Sequence, residues 1–141
     1  MTIDGLGDNE IRRILRETRR IALVGASAKP ERASNHVMEF LLDQGFTVVP
    51  VNPGLAGQRI HGQLVVASLD DAGPLDMVDV FRAPRHVGPV MADAIRLGAR
   101  TVWMQLGVVN EAAAAAGRAA GLTVVMDRCP AIEIPRLRRA A

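Results

Sequence analysis

The chain has 141 residues, 17 basic and 15 acidic side chains for a net charge of +2, and 49% hydrophobic residues. That length suits one domain over residues 1–141 with a proper core, and so mild a charge points to no particular partner. Three Phe, one Trp and no Tyr leave too few rings to interleave with the basic residues of a nucleic-acid surface, the apolar runs are too short to cross a bilayer, and one cysteine excludes an intrachain disulfide.

The opening MTIDGLGDNE is acidic, unlike a secretory leader. Together with the lone cysteine it leads us to expect a cytoplasmic protein with neither membrane nor nucleic acid as partner. A helix is expected at about 9–18, with Arg12, Arg13 and Arg16 on solvated faces and Arg19 and Arg20 just beyond. Ile21–Val24 reads as a short buried strand that runs into Gly25-Ala26-Ser27. A second helix is expected at about 34–44, with Ser34 placed to cap it.

Gly45 then precedes Phe46-Thr47-Val48-Val49, and the same arrangement of helix, glycine and β-branched run recurs at Gly98 before Thr101-Val102-Trp103 and at Gly121 before Thr123-Val124-Val125. Glycine suits the left-handed position just past a helix end, and Thr/Val runs suit strands covered on both faces. The span 53–75, rich in Gly and Pro, predicts a loop with at most a short strand at 64–66 and a brief helix near 68–72. Met77–Phe81 is a further strand, and helices are expected at about 86–97 and 110–120, the latter capped by Asn110. Arg136, Arg138 and Arg139 read as a charged tail.

Strands alternating with helices of this length imply βαβ crossovers and an α/β class. The expected architecture is a Rossmann-like, doubly wound, five-stranded parallel sheet with helices on both faces, in strand order 3-2-1-4-5. In such a sheet, ligands bind along the rim where the strands end. Four of the five strand exits combine polar or charged side chains with Gly or Pro, as a shaped site on a rigid scaffold would.

At the first exit Gly25 admits close backbone approach, Ser27 can donate to a phosphate oxygen, and Lys29 and Arg32 stand just beyond as candidate phosphate partners. The second exit, Val51-Asn52-Pro53, lacks the acid that normally accepts from the ribose hydroxyls of NAD. Its absence leaves room for the additional phosphate of coenzyme A. At the third exit Arg82 either reaches a phosphate or pairs with Asp79.

These stretches together resemble the small single-domain coenzyme A-binding proteins of bacteria and archaea, the YccU-like family. The resemblance is carried by VGAS, the Lys29-Pro30 pair, Ser34, GFTVVPVNP, Gly62 after Ile60, DMVDVFR, GARTVWMQLGVVNEAAA and AGLTVVMDRC, and extends from about residue 18 to Leu137. That family is related to the coenzyme A-binding domain of succinyl-CoA synthetase and of ADP-forming acyl-CoA synthetases. The resemblance implies coenzyme A as cofactor, with Gly25, Ala26 and Ser27 near the pyrophosphate. It places Asn52 and Pro53 against the adenosine, Phe81 and Arg82 beside the nucleotide, and Gln105 and Gly107 near the pantetheine arm. Asn35 departs from the pattern, which expects an aromatic or apolar residue near that position.

No catalytic constellation is legible. His36, His61 and His86 are far apart and lack metal-ligand spacing, and the phosphohistidine and ATP-grasp chemistry of the synthetases belongs to segments that this chain lacks. The expected function is therefore a non-catalytic carrier, sensor or regulatory module for coenzyme A or acyl-CoA. The alternatives are a coenzyme A-binding subunit of an acyl-CoA synthetase with a separate ATP-grasp partner, and an NAD-binding redox or regulatory module. A protein partner or homo-oligomer is compatible with each. Cys129, beside Asp127 and Arg128, is either a packed thiol or one that a neighbouring guanidinium makes reactive toward the coenzyme A thiol.

Overall fold

A computed structural model describes residues 2–140. Helix α1 (Asp8–Glu17) leads into strand β1 (Arg20–Val24), and α2 (Ala33–Asp43) carries the chain to β2 (Thr47–Val51). A small antiparallel hairpin, β3 (Arg59–Ile60) and β4 (Gln63–Leu64), and a 3-10 turn at Leu69–Ala72 lead to β5 (Met77–Val80). Then follow α3 (Val87–Arg96), β6 (Thr101–Met104), α4 (Glu111–Ala119), β7 (Thr123–Val125) and α5 (Pro130–Ala140). The five main strands form one parallel sheet in the order β2-β1-β5-β6-β7.

Each strand alternates its side chains between two apolar layers. Ile21, Leu23, Val48, Met77, Trp103 and Val125 face a layer built with α1, α2 and α5. Ala22, Val24, Val78, Val80, Val102, Met104 and Val124 face one built with α3, α4 and the 3-10 turn. This is the expected doubly wound sheet with helices on both faces. The helix-end glycines Gly45, Gly98 and Gly121 adopt φ of 96°, 78° and 90°. Asn110 caps α4 by accepting from Ala113 N–H at 2.9 Å. Ser34 does not cap α2: the cap position is Arg32, and Ser34 is buried inside the first turn.

Strand order corrects the expectation. Counted over the five main strands it is 2-1-3-4-5, not 3-2-1-4-5, because β5 lies against β1 and not outside β2. The outer edge of β2 is taken by a remnant of a strand. Val66 pairs in parallel with Val51, donating to Pro50 O and accepting from Asn52 N–H, both at 3.0 Å. The Gly/Pro-rich span is too broken to extend this pairing, yet it occupies the slot. Counted with the remnant, the sheet has the dinucleotide-binding order 3-2-1-4-5-6.

The charged tail is also corrected, since residues 136, 138 and 139 belong to α5. Pro130 occupies the first helical position, where its missing N–H costs nothing. Helix α5 lays Ile134 and Leu137 against the core. Arg128 anchors this end of the molecule. Its guanidinium holds Asp4 at 2.8 and 2.9 Å, Glu133 at 2.7 Å, and the Leu6 carbonyl at 2.8 Å. Burial opposes ionisation of Asp4, but hydrogen bonds from Arg128, Leu6 N–H and Met126 N–H outweigh it and hold the carboxyl at about 2. Its contribution to stability is therefore present above the ordinary carboxylate pKa and lost as pH falls from 3.8 toward about 2.

Asp79 is the opposite case. It lies in β5 between Leu23 and Trp103, fully buried, and among the described residues neither carboxylate oxygen has a partner. Burial alone pushes its pKa well above 3.8. Its folded form thus favours the neutral acid, and stability falls as pH rises through the folded pKa. Asp79→Asn should raise the thermal midpoint at pH 8 by roughly 3–5 °C and flatten the loss of stability toward alkaline pH; calorimetric scans over a pH series check this. Arg128→Met, which leaves the buried Asp4 without its cation while Glu133 keeps Arg136 at 2.9 Å, should cost about 3–5 kcal/mol in urea unfolding at pH 7.

Candidate functional site

The switch in winding direction falls between β1 and β5. From β1 the chain leaves for α2 on one face, and from β5 it leaves for α3 on the other. The crevice this opens is where open α/β sheets take their ligands. Here β1 turns at Gly25, φ 89°, with Gly25 N–H and Ala26 N–H both bonded to Val51 O. A Cβ on Gly25 would lie 2.3 Å from Phe81 O and 2.9 Å from its carbonyl carbon. The glycine is therefore demanded both by its backbone angle and by the end of the neighbouring strand.

The turn beyond Gly25 is held by two asparagines. Asn52, at the end of β2, donates from Nδ2 to Ala26 O at 2.8 Å while its Oδ1 accepts from Gly54 N–H at 2.8 Å. Asn35, in the first turn of α2, donates from Nδ2 to Ser27 O at 3.0 Å. A trans peptide directs its C=O and its N–H in opposite senses. With the carbonyls of Ala26 and Ser27 drawn toward the asparagines, the N–H groups of Ser27 and Ala28 point away from them. Among the described residues neither N–H has a partner. Ser27 Oγ accepts from Lys29 N–H at 3.1 Å, which tightens the turn and leaves the hydroxyl hydrogen available.

Two clefts meet at this turn, sharing Gly25, Asn52 and Phe81. The first, about 570 Å³, is also lined by Ala26, Ser27, Lys29, Arg32 and Ser34, with Ala28, Ala33, Gly54 and Leu55 completing it. The second, about 530 Å³, adds Val51, Pro53 and Arg82 from the expected residues, and Ser68, Leu69, Val90 and Asp93. Both fall in the size range of small-molecule sites. Lys29, Arg32 and Arg82 form no ion pair with any described residue. In particular Arg82 does not pair with Asp79, which faces the buried layer.

Three expected residues lie apart from these clefts. Gln105 is buried at the end of β6, and its Oε1 has no partner among the described residues. Gly107, φ 79°, donates to Asp127 Oδ1 at 2.8 Å. Cys129 is packed in the apolar layer of α1, α2 and α5, and the guanidinium of Arg128 is committed to Asp4 and Glu133.

Comparison with known proteins decides the family. The model of the CoA binding domain matches residues 19–135, most of the chain and all five main strands. The chain belongs to the CoA binding domain family. It is 38% identical over 121 residues to the protein YneT of Bacillus subtilis (strain 168), covering 85% of this chain and 88% of that one. A hypothetical protein from Pyrococcus horikoshii OT3 superposes with a TM-score of 0.93 at 40% identity, over 98% of this chain and 96% of the other. The protein cell-free ID.343 from Thermus thermophilus superposes with a TM-score of 0.89 at 37% identity, over 94% and 99%.

Within this CoA binding domain the sequence did not reveal the residues contributed by the loop-rich span, Gly54, Leu55 and Ser68 to Leu69, because no periodicity marks them. Asn35 carried a signal of a different kind, as a polar residue where the pattern expects an apolar one. The turn predicts its own test. Asn52→Leu, which leaves the Ala26 carbonyl without its donor, should destabilise by about 1–3 kcal/mol and shift the backbone amide resonances of Ser27 and Ala28.

Proposed function

We propose that the chain binds coenzyme A across these two clefts and acts as a non-catalytic carrier, sensor or regulatory module for coenzyme A or its thioesters. One arrangement carries the reading. Two unengaged amides in a glycine turn sit among three cations, Lys29, Arg32 and Arg82, that no carboxylate among the described residues pairs with. Amides at such a turn and a following helix start favour a phosphate. Cations left unpaired beside them serve a ligand carrying more than one phosphate.

The second strand exit supports coenzyme A over NAD. Asn52 stands where a ribose-binding acid is usual, and both of its polar atoms are engaged in shaping the turn. Membership of the CoA binding domain family supports the same ligand. In this reading Gly25, Ala26 and Ser27 bear on the pyrophosphate, Asn52, Pro53 and Phe81 border the nucleoside, and Arg82 faces a phosphate in the second cleft. Gln105, Gly107 and Cys129 lie farther along the rim, on the side where a pantetheine arm would run.

A thermal-shift panel tests the reading. Coenzyme A at a hundred times its Kd should raise stability by about 2.7 kcal/mol, and NAD should leave the midpoint unchanged. A shift with NAD and none with coenzyme A would reverse the conclusion. Lys29→Gln and Arg82→Gln should each weaken coenzyme A by about tenfold in isothermal titration calorimetry, and the affinity of the parent chain should fall as salt is raised.

A further inference from the structure

The β3–β4 hairpin extends from the loop-rich span back to the start of α2, where it places one residue in an unusual position. His61, at the hairpin tip, has φ of 47°, the left-handed region that a non-glycine residue enters at a cost. The preceding residue Ile60 is buried in the apolar layer, and the following Gly62 receives Arg59 Nη1 on its carbonyl at 3.0 Å. The tip is thus fastened on both sides of His61, which directs the imidazole onto α2.

There His61 Nε2 lies 2.9 Å from Asn35 Oδ1 and 3.2 Å from Asn35 O, and Nδ1 lies 3.5 Å from Glu39 Oε2. The tautomer follows from the network. Asn35 Nδ2 donates to Ser27 O, so Oδ1 must accept, and His61 Nε2 must carry the hydrogen. The ring of His61 is three-quarters buried and Asn35 is 7% exposed, so water is poorly placed to substitute for either partner.

We propose that His61 is a positioning residue for the anion-binding turn: through Asn35 it fixes the Ser27–Ala28 peptide so that the Ala28 N–H stays turned toward a phosphate. An asparagine amide can rotate by half a turn and exchange its donor for its acceptor. The hydrogen from His61 Nε2 forbids the flipped state, in which Oδ1 would face the Ser27 carbonyl and Nδ2 would face the imidazole donor. The hairpin, remote in sequence from the turn, thereby sets the quality of the site. The inference rests on the reading that this turn holds the pyrophosphate of coenzyme A, but the hydrogen-bond relay is tested without any ligand.

Three chains are compared: the parent, His61→Gly, which keeps the left-handed backbone and removes the donor, and His61→Gln, which returns an amide donor at a similar reach. In ligand-free nitrogen-15 spectra, H61G should displace the Asn35 side-chain amide and the Ala28 backbone amide, and it should speed hydrogen exchange of the Asn35 side-chain amide, whose Nδ2 is bonded to Ser27 O. H61Q should move both back toward the parent. In calorimetric titrations, H61G should weaken coenzyme A by about five- to tenfold, and H61Q should recover most of that loss. Unchanged Asn35 and Ala28 resonances in H61G would overturn the relay, and so would unchanged coenzyme A affinity in H61G. A hairpin that only adds stability would lower the melting midpoint of H61G and leave affinity intact, which counts against the proposal. Failure of the parent to bind coenzyme A would overturn the functional reading, and the ligand-free spectra would still decide the relay.

Discussion

The contact between Gly25 and the Phe81 carbonyl is the constraint from which the site follows. Strands β1 and β5 are neighbours that end together, and one must turn aside without a side chain for the other to finish its pairing. Their helices leave on opposite faces, so the same contact lies at the floor of the crevice. A larger residue at position 25 would collide with the Phe81 backbone. The architecture therefore makes the site and the sheet mutually dependent.

Around that floor the polar groups are divided by task. Asn35 and Asn52 line or flank the clefts, yet their side chains are spent on the protein's own carbonyls. The groups left over include backbone N–H donors, the Ser27 hydroxyl hydrogen and three long cations. On the proposed reading, such a site would select its ligand by charge and reach. Backbone donors held by rigid neighbours also need little reordering when an anion arrives.

Much of this was legible in the amino-acid sequence. Glycine before each Thr/Val run marked the helix ends and the strands at 47, 101 and 123, and the absence of an acid near Asn52 was visible directly. Ser27, Asn52 and Arg82 were expected on one rim and lie around one pair of joined clefts. Strand order was less legible, because the short strand allowed at 64–66 was not counted in the sheet, and only Val66 pairs there, with Val51. Helix α5 was masked by its own composition: Pro130, Pro135 and three arginines obscure the apolar residues Ile134 and Leu137 that dock it. The roles of Asn35 and Arg128 depend on partners 26 and 124 positions away, His61 and Asp4, a separation that no local pattern encodes.

The Asp4–Arg128–Glu133 cluster has a consequence for the order of assembly. Joining Asp4 to Arg128 closes a loop of 124 positions, which is entropically expensive until the intervening sheet has drawn its ends together. Strands β1, β2 and β5 all lie within the first 80 residues, so their pairing closes shorter loops. The cluster therefore consolidates the fold late, fastening the segment before α1 to the end of β7 and to α5 once the sheet between them has formed.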